Sequence, residues 1–188
     1  MKASARTVAL GALAFVAVIA FGASPVSAQN KCLSGKTKCV NKKMSGLLKC
    51  HNKAEKLGLA VDPACLAKTT GKFDGGTKGF PGSCFGKLEI KYPPGPTPCL
   101  TYGDLGAQEA KVDAFVLDVV QELDPSYPAV ILNACSAGKK KCVLKKAAGL
   151  LKCREKCQKD PLKCGTVLTD CLAKATGKFD GGTDPTKG

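Results

Sequence analysis

Residues 153–171 read CREKCQKDPLKCGTVLTDC, four cysteines in nineteen positions. Cys153 and Cys157 are four residues apart, about one turn of an α-helix, and Cys164 and Cys171 are seven apart, about two turns. Between them, Asp160-Pro161 offers an N-cap acceptor followed by the one residue that tolerates a helix's first position, so a second helix is expected to begin there. In an antiparallel hairpin of these two helices, Cys157 and Cys164 form an inner pair beside the turn. Cys153 and Cys171 form an outer pair further along.

The chain carries a second version of this pattern. NKCLSGKTKCVNKKMSGLLKCHNKAEKL (30–57) matches NACSAGKKKCVLKKAAGLLKCREKCQKD (133–160) at sixteen of 28 positions, with an offset of 103. CLAKTTGKFDGGT (65–77) matches CLAKATGKFDGGT (171–183) at 12 of 13 positions, now with an offset of 106. A repeat of this length reads as one supersecondary unit present twice. The first copy keeps the outer cysteines as Cys50 and Cys65 and lacks both inner ones, with Ala54 in place of Cys157. Residues lost in pairs are expected to be bonded in pairs, whereas a four-ligand metal site should lose all four or none. The expected bonds are therefore Cys153–Cys171, Cys157–Cys164 and Cys50–Cys65.

Such nesting resembles the stapled helical-hairpin scaffolds of small secreted peptides and of twin-cysteine intermembrane-space proteins. The spacings here (C-x3-C, then C-x6-C) differ from the usual twin C-x3-C or twin C-x9-C. The resemblance covers the two hairpins and concerns scaffold only. Six further cysteines, Cys32, Cys39, Cys84, Cys99, Cys135 and Cys142, allow 15 connectivities. Residues seven apart on one helix are about 10 Å apart, which disfavours Cys32–Cys39 and Cys135–Cys142. Two arrangements remain. Cys84 and Cys99 pair locally while the copies cross-link through 32/39 and 135/142, or Cys84 and Cys99 bond out to those helices; the first is preferred because both copies keep the same two cysteines.

Periodicity predicts an all-α fold: disulfide-stapled helical hairpins, duplicated, with a central acidic helix. In the first copy Cys32, Cys39 and Cys50 fall along one edge of a helix, beside an apolar face of Val40, Met44, Leu47, Leu48, His51 and Ala54. Lys38, Lys42, Lys49, Lys53 and Lys56 fill the opposite side. Asp62-Pro63 opens a second helix, and both copies end in Lys-Phe-Asp-Gly-Gly, read as a glycine C-cap. Asp74 or Asp180 alone is far short of the 6–8 oxygens calcium takes. Between the copies come a short helix over 83–90, the proline-rich stretch KYPPGPTPC (91–99) and a capping box at Thr101-Tyr-Gly-Asp104. The acidic amphipathic helix LGAQEAKVDAFVLDVVQEL follows and ends at Asp124-Pro125. The organisation is thus a signal peptide (1–28), hairpin repeat 1 (29–80), connector and acidic helix (81–132), and hairpin repeat 2 (133–188).

The signal reading rests on Lys2 and Arg6, the apolar run Val8 to Phe21 and the small residues Val26-Ser27-Ala28, with cleavage expected after Ala28. The run is shorter than the roughly 20 apolar residues of a span, so no membrane span is expected after cleavage. Export would place all twelve cysteines in an oxidising compartment, secreted or periplasmic. The whole chain has 29 basic and 15 acidic residues, and Arg154 is the only arginine after residue 28. The clusters Lys139, Lys140, Lys141 and Lys145, Lys146 could attract a surface polyanion. Base stacking needs aromatics interleaved with the basic residues, and their lack argues against specific nucleic-acid recognition.

Other chemistries fail on particulars. There is no Cys-x-x-Cys for a c-type haem or a thioredoxin-like site, and zinc's paired spacing is met only by Cys153-x3-Cys157. His51 is the only histidine, and its counterpart in the second copy is Arg154. No catalytic residue, cofactor or metal-ligand set stands out. The expectation is a non-enzymatic, extracytoplasmic binding or structural module whose partner is an unknown protein. The alternative is a cationic binder of anionic lipid, surface polysaccharide or another polyanion. A secreted toxin or protease inhibitor is compatible with the scaffold, but no segment selects a target. Whether another chain completes the half-present second copy bears on its oligomeric state.

Overall fold

Two long helices, α1 (Lys31–Leu57) and α6 (Ala134–Lys159), lie antiparallel and form the axle of the molecule. The structure is a computed structural model and describes residues 31–95, 98–129 and 131–182. The expected signal segment lies outside these residues. Around the axle stand α2 (Pro63–Asp74), a short α3 (Gly79–Gly82), α4 (Cys84–Lys91), α5 (Leu105–Leu123) and α7 (Thr166–Asp180). The described residues are all-helical, and none of their helices is long and apolar enough to cross a membrane.

The antiparallel register of the axle is fixed at both ends. The Thr37 hydroxyl donates to Gln158 Oε1 at 2.8 Å, and at the other end Lys140 Nζ is paired with the Glu55 carboxylate. Under the 103-residue offset of the sequence repeat, Thr37 corresponds to Lys140 and Glu55 to Gln158. The two contacts therefore occupy equivalent positions, one neutral and one ionic. Near the middle, Gly46 admits Thr69 of α2, and Gly149 admits Ala175 of α7. A Cβ on Gly46 would lie 2.4 Å from the Thr69 methyl, so the first hairpin closes over a mid-helix residue of poor helix propensity, while at Gly149 the approach is looser, 3.2 Å to the Ala175 Cβ.

The main core joins Met44, Leu47 and Leu48 of α1 to Val112, Val116, Val119 and Val120 of α5 and Leu144 of α6. A second cluster holds Phe73 of α2 against Phe85 of α4, rings 5.1 Å apart, with Cys39 and Leu88 beside them. Five disulfides staple this frame: Cys32–Cys99, Cys39–Cys84, Cys50–Cys65, Cys153–Cys171 and Cys157–Cys164. The last three are the bonds read from the hairpins. Cys84 and Cys99 do not pair with each other. They bond out to α1, because α4 lies along that helix with Leu88 seated over Gly35. The copies are therefore not cross-linked, and Cys135 and Cys142 are free, exposed thiols.

Asp62 caps α2 through Ala64 N–H, Gly75 and Gly181 end α2 and α7 in the left-handed region, and the Asp74 carboxylate accepts from Gly76 N–H at 2.7 Å. The short helix before the connector begins after the Ser83 cap and runs to Lys91. Two expectations differ. Pro161–Lys163 forms a 3-10 turn and α7 begins only at Thr166, since the inner bond to Cys164 holds the chain close to the end of α6. Asp104 stands at the N-cap of α5 without capping it: its carboxylate turns to Lys36 and also accepts from the Thr101 hydroxyl.

Candidate functional site

Along α1, cysteines alternate with lysines at positions 32, 36, 39 and 43, a spacing of four, three and four that puts all four on one stripe. Every member of this stripe is engaged by the segment that follows the first hairpin. Cys32 bonds Cys99, and Cys39 bonds Cys84. Lys36 Nζ lies 2.7 Å from Glu89 Oε1, beside the Asp104 carboxylate and the Thr101 carbonyl. Lys43 Nζ lies 2.6 Å from Glu109 and 2.8 Å from Asp113. Both ammonium groups also face aromatic rings: Lys36 stands over Phe85 at 5.0 Å and Lys43 over Phe73 at 5.1 Å. Lys43 is 1% exposed, so its charge is matched by these carboxylates rather than by water.

The same stripe exists on α6 as Cys135, Lys139, Cys142 and Lys146. Here it is open. Cys135, Lys139 and Cys142 are exposed, and Lys146 is half-buried. Lys146 Nζ stands 4.2 Å from the Phe179 ring centroid, which repeats the Lys43–Phe73 contact in the second hairpin. Gly138 corresponds to Gly35. A Cβ on Gly35 would meet Leu88 at 2.6 Å, whereas one on Gly138 would meet nothing within 4 Å. Leu66 packs onto the core beside α5, while its counterpart Leu172 lines an open groove along α7 with Ala173 and Thr176.

The lysines singled out from the sequence thus divide. Lys139, Lys141 and Lys145 are exposed and Lys146 lies over Phe179. Lys140 is not available to a polyanion. It is 1% exposed and paired with Glu55, which also accepts from the Ser136 hydroxyl. The cause is register: Lys140 faces α1, where Glu55 is the equivalent of Gln158. Beside this pair, Asp124 is held below the usual carboxylate range, chiefly by the Ser126 hydroxyl it accepts from, against the effect of burial and with help from the Lys140 charge. His51, edge-on to Tyr127 at 5.7 Å, is held below its ordinary value by burial and then by Lys140.

Sequence reasoning placed the α1 cysteines correctly at the edge of the apolar face but overlooked Lys36 and Lys43 between them. The signal was present as the Cys-x3-Lys-x2-Cys-x3-Lys spacing shared by both copies. No family model, curated protein or solved structure matches this chain. The five disulfides fit an oxidising, extracytoplasmic environment.

Proposed function

We propose that this protein is a secreted or periplasmic helical module that acts by binding rather than by catalysis, and that its binding face is the outer side of the α6–α7 hairpin. The observation that carries this reading is the open stripe on α6. It presents two thiols and two ammonium groups in the pattern that α1 uses to hold a neighbouring segment. The stapled hairpins support such a role, because a rigid frame loses little conformational freedom when a partner docks. The exposed Lys139, Lys141 and Lys145 favour a second reading, attraction to a polyanionic surface such as anionic lipid or polysaccharide.

Site-specific photo-cross-linking separates the two. A cross-linker at Lys139 or Leu172 is compared with one at Lys53, on the far side of α1, in the compartment to which the chain is exported. Discrete protein adducts from the α6–α7 face that persist at 0.5 M salt, as a stated test condition of about a 4 Å screening length, support a shape-specific module. Association with vesicles or polysaccharide that is abolished at that salt, with no protein adduct, supports the polyanion reading. Equal, diffuse labelling from all three positions would sink the assignment of the face.

A further inference from the structure

We infer that the α6–α7 face is a clasp for a polypeptide segment with two cysteines, a leucine between them and carboxylates on either side of the second cysteine, and that it holds this segment by two disulfides. The inference rests on the reading of this face as the binding surface and supplies its partner's chemistry. The template lies within the molecule. On α1 the stripe is filled by residues 84–113, which contribute Cys84 to Cys39, Leu88 to the notch at Gly35, Glu89 and Asp104 to Lys36, Cys99 to Cys32, and Glu109 and Asp113 to Lys43. On α6 each receiving group recurs: Cys142, Gly138, Lys139, Cys135 and Lys146.

Three independent features mark the α6 stripe as a receptor rather than a remnant surface. Gly138 stands in the second turn of α6 over open space, although glycine costs about 1 kcal/mol relative to alanine inside a helix. Lys146 is already poised on Phe179, as Lys43 is on Phe73. The two thiols are exposed and, being seven residues apart on one helix, lie about 10 Å from each other, too far to bond together. A second copy of this chain does not supply the occupant, because its own 84–113 segment is already bonded to its α1. Complementary charge selects an acidic segment, since α6 offers ammonium groups where α1 meets four carboxylates.

The chemistry is thiol–disulfide exchange. Each thiolate attacks a mixed disulfide between a cysteine of the docked segment and glutathione, forms the S–S bond to that segment and expels glutathione thiolate. For two bonds, the four thiols give up four protons and four electrons to two molecules of glutathione disulfide, which leave as four glutathione.

The test uses the folded mature protein with its five native disulfides and, as probe, a synthetic peptide of residues 79–113 in a glutathione redox buffer. A one-to-one adduct linked Cys135 to peptide Cys99 and Cys142 to peptide Cys84 is expected. It should form at least about ten-fold faster than with a peptide of scrambled sequence and unchanged cysteine positions, because docking precedes exchange. Gly138→Leu fills the notch without touching the protein's own packing, and Lys139→Glu with Lys146→Glu reverses the charge. Either change should remove most of the preference, with unchanged helical circular dichroism confirming the fold. Equal rates for the two peptides, glutathione caps alone on both thiols, or a disulfide-linked dimer of the protein outcompeting the peptide would each overturn the inference. If the peptide is refused while salt-stable cross-links still arise from this face, the clasp falls and the binding reading stands. If both fail, both fall.

Discussion

Lys140 and Thr37 occupy equivalent positions in the two copies, and they do the same job at very different electrostatic stakes. Lys140 is buried against Glu55, and removing one member of a buried pair leaves the other as an uncompensated charge. Lys140→Met is expected to cost about 3–5 kcal/mol, and Thr37→Ala only about 1 kcal/mol for a neutral hydrogen bond. Urea unfolding midpoints measure the difference, and comparable losses would show that the ionic end is hydrated in solution. The glycines make a second contrast. Gly35→Ala drives a Cβ to 2.6 Å from a Leu88 methyl, and the overpacking cost of about 1–3 kcal/mol, less about 1 kcal/mol of helix propensity gained, is expected to leave a net loss of up to about 2 kcal/mol. Gly138→Ala enters open space and should stabilise by about 1 kcal/mol through helix propensity, read as a rise in melting temperature.

At the scale of elements, the hairpins were legible because their determinants are local. Asp-Pro starts, glycine ends and cysteines one or two turns apart each fix structure within a few residues. The placement of α4 and α5 was less legible. Nothing local says that Leu88 seats on Gly35, or that Asp104 leaves its cap position for Lys36; both follow from the path of the connector across α1. That path also overturned the preferred local bond between Cys84 and Cys99. The disulfides differ accordingly in what they constrain. Cys32–Cys99 closes a separation of 67 residues and Cys157–Cys164 one of 7. Because Cys39–Cys84 already shortens the path between Cys32 and Cys99, replacing the first pair with serine is expected to cost about 3 kcal/mol and the second about 2 kcal/mol, from the loop entropy restored to the unfolded chain. Denaturant titration of the two variants checks the order, and a reversed order would mean that residual structure in the unfolded chain dominates.

For the molecule as a whole, acid acts in two stages. His51 is held neutral in the fold more strongly than in the open chain, so its contribution to stability is present above the unfolded value near 6.5 and is lost as pH falls through its lower folded value. Asp124 is likewise depressed, and its contribution fades as pH falls below the unfolded value near 3.8 towards its folded one. Unfolding free energy measured from pH 7 to 3 should therefore decline first below about 6.5, and His51→Gln should remove that first step. A decline of the same size in the variant would assign the step elsewhere. The disulfides also determine how the molecule bears load. Tension applied between Lys31 and Gly182 enters at Cys32, crosses directly to Cys99, runs along the backbone to Cys153 and crosses again to Cys171. Only the stretch from Cys99 to Cys153, with a short tail, can lengthen, and α2, α4 and most of α1 sit outside the line of force. Under oxidising conditions the protein behaves as a short tether with a hidden reserve of chain, and a reductant is the trigger that releases it.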